Sequence, residues 1–174
     1  MNSAHTPTPT LFDKLRRKLR RLTLPPEFRD LLRKLDTLDT AEPPGPGRDA
    51  LVNVATDKDA TVLDITLACL CAAAFQPELY TFDGTEQGIL VHRTGEAPAV
   101  IYSAVGQPME GPTYQGLHAS RFEPGTDPTD DDDCMHASAY TVWEGPQPTT
   151  RSEMLRDIAG AVNAIIDDAD QPWA

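Results

Sequence analysis

The sequence predicts an α+β domain, a mostly antiparallel sheet with a buried helix before it and an amphipathic helix after it. Three observations carry that expectation. Short apolar runs between residues 78 and 143 are separated by turn residues, among them the hairpin-type pairs Asp83-Gly84 and Thr94-Gly95. Thr61 to Phe75 is apolar on nearly every side, the pattern of a helix inside a core. Residues 150–166 are amphipathic at helical spacing and open on Thr150-Arg-Ser-Glu153, which has the form of a capping box. Strands flanked by helices at both ends pack as one sheet with helices laid on it.

Taken in order, residues 1–10 are rich in Ser, Thr and Pro and read as a frayed end. Leu11 to Leu22 is a helix candidate, with Leu11, Leu15, Leu19 and Leu22 on one narrow stripe among six basic residues. Pro25-Pro26 breaks it. A second helical pattern follows, with Phe28, Leu31, Leu32, Leu35 and Leu38 on one face. Two short amphipathic helices joined at a proline pair are too short to stand as a domain and predict a basic helical arm over residues 1–40. Residues 41–50 read as a Pro/Gly linker and 51–174 as the α+β body.

In the body, Asp59 or Thr61 can cap the buried helix, and Pro77 ends it. Strands are expected at Glu78 to Phe82, Gly88 to Arg93, Ala99 to Val105 and Gly116 to Glu123. An acidic loop, Thr126 to Asp133, leads to a fifth strand from Met135 to Trp143. Strict alternation sets Met135, Ala137, Ala139, Thr141 and Trp143 on one face of that strand and His136, Ser138, Tyr140 and Val142 on the other. Glu144-Gly-Pro-Gln-Pro148 stops it, because two prolines cannot continue a ladder. On the last helix Leu155, Ile158, Val162, Ile165 and Ile166 form the apolar stripe, and Arg156, Asp157, Asn163 and Asp167 are placed opposite, toward solvent.

The net charge of −12 is unevenly spread. Residues 1–34 hold nine Lys/Arg against three acids, a segment at +6 followed by a body at −18. Such a body repels nucleic acid, so any contact with a polyanion falls to the basic arm. No run has the length or apolarity of a membrane helix or of a signal-peptide core, so a soluble chain without a general secretion signal is expected. Cys69, Cys71 and Cys134 make no disulfide framework and read as free thiols.

Motifs for chemistry are sparse. There is no Gly-rich phosphate loop, HExxH, GxSxG or paired CxxC. Cys69 and Cys71 point apart on a helix and fit a core better than a metal. Cys134 and His136 share a strand face and, with Asp133, His92 or His118, have zinc-ligand chemistry, but no second close ligand pair joins them. Asp130 to Asp133 lacks the glycine and terminal glutamate of a calcium loop and reads as a solvated turn. A Cys134 nucleophile beside His118 or His92 is singled out by no spacing. The residues therefore predict no enzyme, no cofactor and no metal.

The basic arm is the sharper feature. Arg16, Arg17, Lys18, Arg20 and Arg21 have the chemistry to contact phosphates or an anionic membrane. No aromatic residue interleaves them, which argues against base stacking. A protein partner fits better. Leu15, Leu19 and Leu22 with Phe28, Leu31 and Leu35 would enter a groove, and Arg16, Arg17, Arg20 and Arg21 would meet an acidic surface around it.

The layout of the body resembles the tail-terminator and head–tail joining proteins of tailed viruses. The pieces that match are the strand Pro98-Ala-Val-Ile-Tyr-Ser-Ala-Val105, the strand end Tyr140-Thr-Val-Trp143 and the helix from Glu153 to Ile166. These are patterns of residue type over roughly residues 60–169, with no signature residue, and the basic arm has no counterpart in the family pattern. The resemblance implies a non-enzymatic virion component that pairs sheets with copies of itself in a ring, commonly six-fold. The ring would sit between tail-tube and neck proteins, with DNA passing an acidic lumen. Injection machines carry related parts. Two alternatives come from other classes: a nucleic-acid-binding regulator using the arm, and an acidic protein-binding module of the secretion-chaperone or immunity type.

Overall fold

A computed structural model describes residues 18–38, 47–82, 86–92, 97–103, 115–130, 138–169 and 171. Helices α1 (residues 18–22), α2 (Pro26–Thr37), α3 (Arg48–Thr56) and α4 (Val62–Ala72) precede five strands. These are β1 (Gln76–Phe82), β2 (Glu86–His92), β3 (Ala99–Ser103), β4 (Leu117–Phe122) and β5 (Ala139–Glu144), and helix α5 (Arg151–Ala169) closes the order. The strands form one antiparallel meander in the order β1-β2-β3-β4-β5. The α+β class with a C-terminal helix on the sheet is as the sequence predicts.

Register shows which face carries the core. Ile89, Ile101 and Ala119 lie side by side across β2, β3 and β4, and Val91, Ala99 and Arg121 form the next row. These rows face the helices: α5 packs on β4 and β5, and α4 on β1. The opposite face holds Leu90 and Val100, both buried. There the loop after β4 folds back, with Pro128 buried and Tyr80 Oη donating to the Thr129 carbonyl at 3.1 Å.

Local signals place both sheet-packed helices. Thr61 Oγ1 accepts from Asp64 N–H at 3.1 Å while Asp64 Oδ2 accepts from Thr61 N–H at 2.9 Å, a reciprocal cap that starts α4. Glu153 Oε2 accepts from Thr150 N–H at 3.1 Å, and Thr150 Oγ1 from Glu153 N–H at 3.2 Å, which starts α5. Those bonds hold the Asp64 and Glu153 carboxyls below their usual range, the Asp64 backbone bond to Thr61 and the Glu153 backbone bond to Thr149 being the largest causes.

Three expectations are corrected. Residues 26–37 are not an arm: Phe28, Leu31, Leu32 and Leu35 are buried and α2 packs on α5. At about 1.5–3 kcal/mol for each fully buried large side chain, this stripe belongs to the body's own core. The expected linker at 41–50 ends early, since α3 starts at Arg48 and buries Leu51, Val52 and Ala55. Strict alternation fails in β5. The pairs Ser120↔Thr141 and Ala119↔Trp143 leave Val142 as an extra residue, a bulge. Tyr140 opposite Arg121 and Trp143 opposite Ala119 therefore share the helix-facing side.

Candidate functional site

The bulge assembles two polar centres along α5. In the N-terminal half of the helix and at its midpoint, Trp143 lies against Gly160, where any Cβ would overlap the indole. The indole Nε1–H donates to Asp157 Oδ1 at 2.9 Å, and Leu117 N–H donates to Asp157 Oδ2 at 2.8 Å. Asp157 was expected in solvent, yet it is 3% exposed. Burial pushes its carboxyl up to about 7, against the pull of the Leu117 N–H. Gly145 passes so close that a side chain there would overlap Asp157 Oδ1, and Gly145 N–H donates to the Leu117 carbonyl at 2.8 Å. Gly116, at φ +105°, lets the start of β4 approach Pro146, whose carbonyl oxygen would lie 2.9 Å from a Cβ. One carboxylate thus ties β4, β5 and α5 together.

Outside this centre runs an open groove of about 710 Å³, lined by Trp143 of β5, Asp157 and Gly160 of α5, Pro146 and Pro148 of the connecting loop and Glu27 of α2. Arg156 Nε meets Glu27 Oε2 at 3.3 Å at the groove. The lining includes no serine, cysteine or histidine among the described residues, and its Thr149 hydroxyl donates to Glu153 at 2.7 Å. The lining presents an aromatic ring, proline rings, carboxylates and the Arg156 guanidinium.

At the C-terminal end of α5, Arg121 is 6% exposed. It donates to the Asp168 carbonyl at 2.7 Å, Asp168 Oδ2 at 3.0 Å and the Gln171 carbonyl at 3.1 Å. Tyr140 Oη donates to Asp168 Oδ1 at 2.7 Å. A guanidinium that satisfies terminal helix carbonyls is a C-terminal cap, supplied here by a strand.

The residues singled out for partner binding are dispersed. Leu15, Arg16 and Arg17 lie outside the described residues. Leu19 and Leu22 are exposed, at 63% and 61%. Arg20 donates to Asn53 Oδ1 at 2.9 Å and Arg21 pairs with Asp49 at 2.7 Å, so α1 is tied to α3. Phe28, Leu31 and Leu35 are core and open to no partner. Lys34 pairs with Asp167 and Arg33 with Asp30. Basic charge read as an arm's contact surface is thus partly met by this chain's own acids.

Of the candidate ligands, Cys134, His136 and Asp131 to Asp133 lie outside the described residues. His92 and His118 are half-buried, and no three His, Cys, Asp or Glu side chains gather as a metal site among the described residues. Burial pushes the Cys69 thiol up to about 12 and raises that of Cys71, so neither is a ready nucleophile. Sequence reasoning missed Asp157, Arg121 and Tyr140. The bulge and the helix's second packing partner decide their positions, and neither leaves a local signal. No protein-family model, curated protein or solved structure matches the chain.

Proposed function

We propose that the chain is a non-enzymatic assembly protein that works by joining other protein chains along its sheet, as a tail-completion component of a virion would. The observation that carries this reading is the open meander. Among the described residues the strand order begins at β1 and ends at β5 without closing, which leaves β1 and β5 as edge strands along which a neighbour can add. Leu79, at the middle of β1, is 58% exposed. The layout of helix, meander and C-terminal helix is compatible with the resemblance in the sequence, and the virion setting rests on that resemblance. Its test is electron microscopy of the purified full chain: closed multimers are expected, and single particles of one chain at high concentration overturn it.

A second reading, an acidic module that binds one basic protein partner, is favoured by the groove beside Trp143. Glu27 and Asp30 line it with the indole; their ion pairs with Arg156 and Arg33 are half exposed or more, so an incoming lysine or arginine side chain can compete for them. A chain that stays single yet binds a basic peptide, and loses it on Trp143→Ala, would favour this reading. The nucleic-acid reading is weakened by the pairing of Arg21, Arg33 and Lys34 with acids of the same chain.

A further inference from the structure

Helix α1 turns its apolar side to solvent. Leu19 and Leu22 are three residues apart, so they share a helix face. They are more exposed than any other large apolar side chain among the described residues. The basic side chains between them hold the helix in place, since Arg20 reaches Asn53 and Arg21 reaches Asp49, both on α3. The polar side of α1 is thus engaged by its own chain while the leucine side is left outward, with the exposed Lys18 beside it. In the sequence the same leucine spacing runs back to Leu15 and Leu11, among Lys14, Arg16 and Arg17. A leucine stripe flanked by cations is complementary to an apolar trough with an acidic rim. The groove beside Trp143 has that make-up, with ring surface from Trp143, Pro146 and Pro148 and the exposed carboxylates of Glu27 and Asp30. Its one cation, Arg156, is met by Glu27. None of residues 18–22 lines the groove, so the described part of α1 does not fill it in its own chain.

We propose that the leucine face of α1 docks into the Trp143 groove of a second copy of the chain, as a head-to-tail contact. The proposal rests on the assembly reading and adds to the sheet edges a contact between two unlike surfaces. Charge selects the occupant. Residues 1–34 carry +6 and the remainder −18, so two copies attract most strongly where the basic segment of one meets the acidic remainder of the other. Two α1 helices brought together would set cations against cations, and two grooves acids against acids. Burial of the leucines supplies the affinity. The charges steer the approach and choose the partner, because exposed ion pairs add little stability of their own. Helix and groove are different surfaces, so each bound copy keeps one of them free. Such a contact propagates from copy to copy and closes into a ring where the rotation between neighbours allows it.

The experiment is sedimentation equilibrium of the full chain in four samples: wild type, the helix variant Leu19→Asp/Leu22→Asp, the groove variant Glu27→Lys/Asp30→Lys, and a 1:1 mixture of the two variants. All four substituted side chains are exposed, so both variants are expected to fold, which circular dichroism checks. The wild type should associate, and each variant alone should associate at least tenfold more weakly. The mixture should associate again, because the helix variant keeps an intact groove and the groove variant an intact α1. Variants that each assemble as tightly as the wild type overturn this contact and leave assembly along the sheet edges standing. Folded variants that are both weakened yet do not associate when mixed overturn the pairing of these two surfaces. A wild-type chain that remains single overturns both this contact and the assembly reading.

Discussion

At Asp157 two opposing influences meet: burial raises the carboxyl and the Leu117 N–H lowers it, and burial prevails at about 7. In the unfolded chain the same group ionises near 3.8. Between these values the folded chain keeps a proton that the unfolded chain has released, so stability falls as pH rises from about 4 to about 7 and levels off above. At about 1.4 kcal/mol per pH unit, the whole window is worth about 4 kcal/mol. Asp64 and Glu153 act with the opposite sign. Their carboxyls are lowered by folding, so their contribution is present above their unfolded values and lost at pH below this window. Urea unfolding between pH 4.5 and 8 is therefore expected to show wild-type stability declining toward neutrality. Asp157→Asn should remove most of that slope, and an unchanged slope would contradict the burial of this group. Gly160 gives a second test. In a Trp173→Phe background, Gly160→Ala should cost about 1–3 kcal/mol by overpacking and shift Trp143 emission, despite alanine's better helix propensity.

Among the elements, α2 decides how the N-terminal region is understood. If Phe28 belonged to a free arm, truncating it would leave stability unchanged. Buried at 0% exposure against the core, Phe28→Ala should cost about 3–5 kcal/mol in chemical denaturation. The misreading has a physical cause. Charge made residues 11–38 look separate, while the leucine periodicity says only that one face is buried, not against what. The charged groups that meet α1 and α2, namely Asp49, Arg156 and Asp167, are spread along the chain and invisible to a local window. Where the determinants are local, the sequence was legible. The capping box at Thr150 sits where i,i+3 spacing puts it, Thr61 is the one of the two expected caps that starts α4, and β1 to β4 lie within a few residues of the apolar runs that predict them. The nine-residue α3, with Val52, Asn53 and Val54 in a short span, has weak intrinsic preference and is buried through packing. The faces of β5 were not legible, because one bulged residue inverts every assignment after it. With them went the positions of Tyr140 and Trp143, and so the site.

Over the whole molecule, the division into a basic N-terminal segment and an acidic remainder resolves in part into contacts within one chain, and among the described residues the sheet is open at β1 and β5. On the proposed function, these edges exist to be covered by other protein chains, copies of this one first. The most direct measurement is the mass of the purified full chain across a wide concentration range at physiological salt, by native mass spectrometry. Masses at multiples of 19.0 kDa that persist on dilution are predicted. A single species of 19.0 kDa at every concentration would contradict it.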